Sequence, residues 1–354
     1  MIPLEERPGR EVYLAQTGKA TLALTIALVS SRVPGGYREA QESAALANLA
    51  DRGVLAATGP DRQKFLQAML SNEVTALAPG QGNAAALMDV KGHVQALMRV
   101  LVLKDAVHLE MARERLAAVV ATLNHYKVAA PVRFAAKPLV VLALLGPRAA
   151  SVLAAVGGEA PADAGDAHRE ATVAGFSVRL IRAGDLPGPG LVLHVAEADA
   201  TTVCDALMAA GAAPLSPEGL DALRVETGRP WYGRDVTGAN LLHETGLVAE
   251  CCSFSKGCYL GQEVVARLDA RGGHVNKRLR GLRLSAAAAE GAPLEAEGKE
   301  VGRVTTAAVS PRFGPIALAY VHRGHADAGT VVSIAGAPAT VHDLPFTEEL
   351  PRTA

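Results

Sequence analysis

Apolar residues recur in two rhythms along this chain: short runs of strand length, and stretches spaced for one face of a helix. Val54–Thr58 is an apolar run that ends at Gly59-Pro60. Phe65, Leu66, Met69 and Leu70 then fall at helical spacing. Proline suits the first turn of that helix, where its missing N–H has no partner to lose. Ala84–Val90 and Val94–Leu103 read as strands joined by a hairpin at Lys91-Gly92, with Val107–Met111 as a third strand. A helix covers roughly Arg113–Tyr126. Leu139–Leu145 is another strand, running into Gly146-Pro147 and an alanine-rich helix to about Val156. The units LAATGPDRQKFLQAML and LALLGPRAASVLAAV look like a faint internal repeat, with chance similarity of short apolar segments as the competing reading. Residues 157–167 read as a linker or surface loop. Strands near Thr172–Ile181 and Leu191–Val195 and a helix near Ala200–Ala210 follow. Ser216-Pro217 supplies an N-cap and first turn for a helix ending at Gly228. Beyond Asn276 the pattern changes to short apolar runs (Leu279–Leu284, Val301–Ala308, Ile316–Val321, Val331–Ile334) between turn residues, which suggests a small barrel or sandwich.

A chain of 354 residues is long for one core and suggests two or three domains. Lys plus Arg number 35 against 36 for Asp plus Glu, so no global field recruits nucleic acid or an anionic membrane. The 4 cysteines, Cys204, Cys251, Cys252 and Cys258, form no CxxC and suit neither a zinc knuckle nor a disulfide framework, so no metal site is expected. Free thiols favour a reducing compartment, and a cytoplasmic location is expected. The apolar run Ala20–Ser30 is about half the ~20 residues a membrane helix requires. Glu5, Glu6 and Glu11 precede it, unlike a secretory leader, so a buried strand or short helix is expected there and no membrane partner.

The densest chemistry lies at 254–263, Phe-Ser-Lys-Gly-Cys-Tyr-Leu-Gly-Gln-Glu. Two glycines at this spacing predict a tight turn feeding a helix that starts near Gln262. An ammonium and a helix N-terminus both stabilise a thiolate, which makes Cys258, beside Lys256, the sharpest chemical candidate. Its open roles are nucleophile, transient iron or cluster ligand, and redox contact.

Lys256-Gly257-Cys258-Tyr259-Leu260-Gly261-Gln262-Glu263 resembles the KGCYxGQE signature of the YgfZ-type folate-binding proteins, relatives of the aminomethyltransferase (T-protein) of glycine cleavage. Leu223–Gly228 and Pro230–Asp235 resemble the family's LRxExGxPxYGxD segment, and Arg271–Leu279 its RGHVNRRL. Gly59–Gln67 and Ser71–Val74 resemble its GxDRxxFLQ…TNDV stretch. The similarity starts near Tyr37. It implies an α+β fold of two interlocked folate-binding subdomains with a C-terminal small β-barrel. The expected division is a divergent segment 1–35, a folate-binding region 36–275 and a barrel 276–354.

The resemblance also implies tetrahydrofolate, or a one-carbon derivative, as cofactor. The glutamate of the LRxExG motif would grip the pterin, which assigns that role to Glu226. Cys258 and Lys256 would form the reactive corner. Trp231, Tyr232 and Tyr126 offer stacking faces, with plain packing as the alternative for each. Asn72, Gln262 and Arg278 complete the expected cofactor site. Arg278 belongs to a basic run from Arg267 to Arg283 suited to a folate's glutamate tail or to RNA phosphates. Aminomethyltransferases carry an acid shortly after a KGxxxxD hairpin. Here Lys91-Gly92 is followed by Ala96 and Leu97 at that place, and a hydrocarbon neither accepts a proton nor stabilises a cation. The resulting expectation is a folate-binding accessory protein whose partners are iron–sulfur client or assembly proteins, with support of cluster-dependent tRNA modification and at most a weak tRNA contact. The alternatives are a one-carbon transferase, the form it would take as an enzyme, and an RNA-binding regulator.

Overall fold

The computed structural model describes residues 34–347, so the apolar run Ala20–Ser30 and nearly all of segment 1–35 lie outside the described residues. Helix α1 (Tyr37–Glu42) leads into strand β1 (Ala45–Asn48). Next come β2 (Arg52–Thr58), α2 (Arg62–Met69), β3 (Gly82–Met88), β4 (Val94–Val102), β5 (Ala106–Ala112), α3 (Leu116–Tyr126) and β6 (Arg133–Lys137). Strands β2 to β6 form one antiparallel sheet in the order β3-β4-β5-β2-β6. Alternation decides its faces. Leu55, Ala57, Ala96, Met98, Val100, Leu109 and Met111 pack with Leu66 of α2 and Leu123 of α3. The opposite side turns Val54 and Leu101 towards a second sheet.

That sheet is built from β7 (Leu139–Leu145), α4 (Ala149–Ala155), β8 (His168–Val173), β9 (Phe176–Ile181), β10 (Gly190–Ala196), α5 (Ala200–Ala209) and β11 (Ala213–Pro214). Its strand order is β11-β1-β7-β10-β9-β8. Helices α4 and α5 cover its outer face through Val152, Leu153, Val203 and Leu207. The inner face sets Val141, Ala143, Leu145 and Val192 against the first sheet.

The faint repeat corresponds to a repeated topology. Each sheet runs strand, helix, three-strand meander, helix, and returns the third meander strand beside the first strand. The turn from first strand to helix is alike in both: Gly59 and Gly146 each have φ 112. A Cβ at Gly59 would stand 1.9 Å from the Pro131 carbonyl oxygen, and one at Gly146 2.4 Å from that of Ser43. Only glycine tolerates both the conformation and the approach. The segment expected as one strand at 172–181 is a hairpin instead. Ala174 and Gly175, at φ 51 and 87, form the two-residue turn that such hairpins favour.

Ser216 caps α6 (Pro217–Glu226) by accepting from the Gly219 N–H at 3.1 Å. A long turn, α7 (Val248–Cys251) and α8 (Gln262–Asp269) follow. The chain then closes a six-stranded barrel in the order β12-β15-β14-β13-β16-β17. Its strands are β12 (Lys277–Leu284), β13 (Pro293–Ala296), β14 (Lys299–Ser310), β15 (Gly314–His322), β16 (Val331–Ile334) and β17 (Ala337–His342). Among the described residues no helix is long and apolar enough to cross a membrane.

Candidate functional site

The faces where the two sheets meet are largely apolar, yet they bury a cluster of charge. Arg99 of β4 and Glu110 of β5 are 4% and 0% exposed. Ions placed so must be paired. Arg99 Nη1 donates to Glu110 Oε2 at 2.5 Å and Nε to Asp166 Oδ1 at 2.9 Å, while Nη2 contacts Asp185 Oδ1. Arg52 of β2 approaches Glu110 at 3.5 Å and Asp185 at 3.4 Å. His194 of β10 sets Nε2 2.8 Å from Glu110 Oε2. One guanidinium thus gathers three carboxylates from both sheets.

The electrostatics follow from that gathering. Burial alone would lower Arg99, but Asp185, Glu110 and Asp166 outweigh it and hold the guanidinium charged. Burial pushes Glu110 up and Arg99 with His194 pull it further down, well below the usual carboxylate range. For Asp185 the same contest, settled by Arg99 and Arg52, also ends below its ordinary value. Asp166 ends above its own, because burial wins there. Burial takes His108 down to about 3 and His168 to about 4, so both are neutral near pH 7.

Above this cluster opens a cavity of about 370 Å³. Its floor is Arg52, Arg99, Asp166 and Asp185, and one wall is Ala84 of β3 with Leu97 of β4. The turn after α6 supplies Trp231 and Tyr232, and Leu247, Glu250 and Cys251 lie at α7. Trp231 is held by guanidinium groups, Arg52 at 5.7 Å and Arg224 at 4.9 Å from its ring centroid. Arg229 Nη1 donates to both Glu250 carboxylate oxygens, at 2.7 and 2.8 Å. Aromatic and apolar walls beside a partly exposed ionised acid suit a planar ligand with a hydrogen-bond-donating edge.

Of the residues expected at the site, Trp231 and Tyr232 line the cavity. Glu226 does not, which corrects its expected position. Its Oε1 accepts from the Tyr37 hydroxyl at 2.8 Å and the Ser310 hydroxyl at 2.5 Å, so it ties α6 to α1 and the barrel. Burial raises this carboxyl despite those bonds. Asn72 stands behind the wall, where its amide donates to the carbonyls of Ala84 at 2.8 Å and Glu250 at 3.0 Å. Tyr126, 39% exposed at the end of α3, meets the His125 ring edge-on and lies off the cavity.

Lys256 is buried and gives its ammonium protons to backbone carbonyls rather than facing a reactive corner. Cys258 is exposed on the turn and does not line the cavity with Trp231. Gln262 opens α8 away from the cavity, and Arg278 of β12 donates to the Gly273 carbonyl at 3.2 Å. Within the basic run, Arg280 pairs with Asp343 at 2.7 Å and Lys277 with Glu244 at 3.7 Å. Among the described residues no group of three or more His, Cys, Asp or Glu side chains could hold a metal ion. The charged floor was missed in the sequence, although a signal existed. Arg99 and Glu110 are the charged residues of two largely apolar strands, VQALMRVLV and AVHLEMA, on the side facing the other sheet.

Residues 29–256 match the GCVT N-terminal domain, and residues 277–348 the glycine cleavage T-protein C-terminal barrel domain. The chain is 30% identical over 335 residues to an aminomethyltransferase of Saccharopolyspora erythraea, covering 88% of each chain. It is 32% identical over 235 residues to the tRNA-modifying protein YgfZ of Yersinia enterocolitica, covering 66% of this chain and 68% of that one. The solved structure of the glycine cleavage system aminomethyltransferase T from Bartonella henselae superposes with a TM-score of 0.79 at 23% identity. It covers 88% of this chain and 89% of that chain, a likeness of fold.

Proposed function

Because this chain belongs to the glycine cleavage T-protein family, whose members bind tetrahydrofolate or its one-carbon derivatives, we propose that it is a folate-binding accessory protein of the YgfZ type. In this role it supports assembly or repair of iron–sulfur proteins, including enzymes of cluster-dependent tRNA modification. The observation that carries the reading is Leu97 on the cavity wall, where a transferase of this family would need an acid. The KGCYLGQE segment and the YgfZ relative support the same branch.

The residues present fit the cofactor. The cavity volume, about 370 Å³, lies within the usual range for small-molecule pockets of about 300–1,000 Å³. Trp231 and Tyr232 supply aromatic surface for a pterin. Asp185, kept ionised by Arg99 and Arg52, accepts N–H groups from the amidine-like edge, the role expected of Glu226. Charged residues lining the cavity comprise the acids Asp51, Asp166, Asp185 and Glu250 against the bases Arg52, Arg99 and Arg229. An acidic excess favours the donor-rich pterin inside and leaves the anionic glutamate tail towards solvent. When bound, tetrahydrofolate supplies the chemistry of one-carbon units, while the protein orients it and excludes water.

A second reading is a one-carbon transferase whose acid comes from elsewhere. Asp185 favours it, because Arg99, which shares one face of β4 with Leu97, holds that acid in the cavity that Leu97 also lines.

Titration with tetrahydrofolate tests the first reading. Wild type is expected to bind in the micromolar class, roughly −8 kcal/mol, and Trp231→Ala at least tenfold more weakly. Glu226→Ala is expected to keep its Kd within about twofold. In urea it should lose about 1–3 kcal/mol of stability, since the Tyr37 and Ser310 hydroxyls are left buried without their acceptor. Turnover of an aminomethyl donor by wild type would instead support the transferase. In cells, Cys258→Ala is expected to retain folate affinity and lose support of iron–sulfur enzymes. Full complementation by that variant would remove the thiol from the proposal.

A further inference from the structure

Lys256 stands two residues from the exposed thiol, yet its side chain turns inward and is 8% exposed. Its Nζ donates to three backbone carbonyls, Gln67 at 2.8 Å, Leu70 at 2.6 Å and Asn72 at 2.6 Å. An ammonium has three N–H groups, so these acceptors use it completely. Gln67 lies in the last turn of α2 and Leu70 is its C-cap. Carbonyls there lack intrahelical partners, and the helix dipole favours a cation.

The segment held in this way leads directly to the cavity. Asn72 donates to the carbonyls of Ala84 and Glu250, both cavity residues. The Ser71 hydroxyl donates to the Cys251 carbonyl at 2.5 Å, and accepts from the Ala86 N–H at 2.8 Å. The Ser253 N–H donates to the Ser71 carbonyl at 3.0 Å, and that of Leu260 to Ala68 at 3.1 Å, closing the stitch between the two segments.

We propose that Lys256 is a positioning residue for the cavity: by drawing three carbonyls to one point it fixes Ser71 and Asn72, which fix the β3 and α7 walls. This rests on the reading of the cavity as the folate site. The signature turn thereby has two sides. Lys256 and the buried Tyr259, whose hydroxyl is 3.2 Å from Cys252 Sγ, anchor it, and Cys258 is presented to solvent.

The titratable groups facing the ammonium are Glu73 from the α2–β3 segment, Cys252 beyond α7 and Tyr259, whose ring centroid is 5.2 Å away. Burial brings Lys256 down to about 8 against the attraction of Glu73. Its charged form therefore dominates below that pH and is lost as pH rises through it. A neutral amine keeps two N–H groups and turns a lone pair towards the third carbonyl, so one tether is released.

The test is tetrahydrofolate titration of wild type, Lys256→Met, Lys256→Arg, Asn72→Ala and the Lys256→Met/Asn72→Ala double variant, each below its unfolding temperature. Lys256→Met is expected to weaken binding about tenfold, equivalent to 1.4 kcal/mol. Adding Asn72→Ala should weaken it little further, because both act through one path. Wild-type affinity should fall as pH passes about 8, and Lys256→Arg, which stays charged, should show no such fall. Wild-type affinity in folded Lys256→Met, or fully additive losses, would overturn the inference. So would a wild-type profile as flat as that of Lys256→Arg, which decides the matter if Lys256→Met does not fold. A wild type that binds no tetrahydrofolate overturns the folate reading and this inference with it.

Discussion

Replacing Arg99 by methionine is expected to destabilise the protein by about 3–5 kcal/mol near neutral pH, the loss typical of a buried charge stripped of its partner. Arg99 is the point at which Glu110, Asp166 and Asp185 meet. Without it the neighbours that remain are Arg52, at 3.4–3.5 Å from Asp185 and Glu110, and His194, at 2.8 Å from Glu110. The pH dependence gives a second signature. Glu110 and Asp185 have folded-state values held below their ordinary ones, so their contribution is present above the ordinary carboxylate range. It is lost as pH falls through the depressed values. In the variant the part of that depression due to Arg99, its largest charged contributor, is gone, so wild type and Arg99→Met should differ most at neutral pH and converge in acid. Urea unfolding across this range reads both effects. A loss below about 1 kcal/mol at neutral pH would show that the cluster is not a stabilising unit.

Arg224→Met is expected to have a comparable effect for a different reason. Arg224 is wholly buried, and its Nη1 donates to Asp235 Oδ2 at 2.5 Å and the Arg229 carbonyl at 3.0 Å, while Nη2 reaches Thr306 at 2.9 Å. Asp235 also accepts from the Trp231 N–H at 2.9 Å and from Thr305 and Thr306 of the barrel at 2.6 and 2.7 Å. This pair therefore fastens α6, the cavity turn and β14 to one another. Losing the cation leaves Asp235 ionised at 1% exposure, again about 3–5 kcal/mol. It also removes one of the two guanidinium groups that hold the Trp231 ring, so tetrahydrofolate affinity should fall with stability. Arg224→Met/Asp235→Asn should recover part of the stability, because the stranded charge is gone. A double-mutant cycle measures that recovery, and strict additivity would argue against coupling.

Much of the fold is legible in the chain because local rules and tertiary packing agree. Leu139–Leu145 is a strand from end to end, and Ser216-Pro217 begins α6 as its capping chemistry predicts. The segments that escape are those whose identity depends on distant partners. Strand β1, four residues long, exists by pairing with β7 and β11, and β6 is largely exposed along its edge. The lining of the candidate cavity is legible in part for the same reason. Trp231 and Tyr232 follow α6 directly and reach the cavity. Glu226, just before them, looks equally suited by sequence. Yet its hydrogen bonds face the barrel, and helical phase, not proximity in the chain, decides where a side chain points. Arg99, Asp166 and Asp185 are brought together only by the meeting of two sheets, a contact that no local pattern encodes.

Strand β1 has a consequence for synthesis. The first sheet, β2 to β6, is continuous in the chain and can pair as soon as Lys137 has left the ribosome. Ala45–Asn48, made earlier, find their neighbour only when Leu139–Leu145 appears, and their second only with Ala213–Pro214. During that interval a short apolar edge stands uncovered beside a finished half. Nascent chains stalled before Leu139 should therefore be the form most prone to pair wrongly or to need a chaperone.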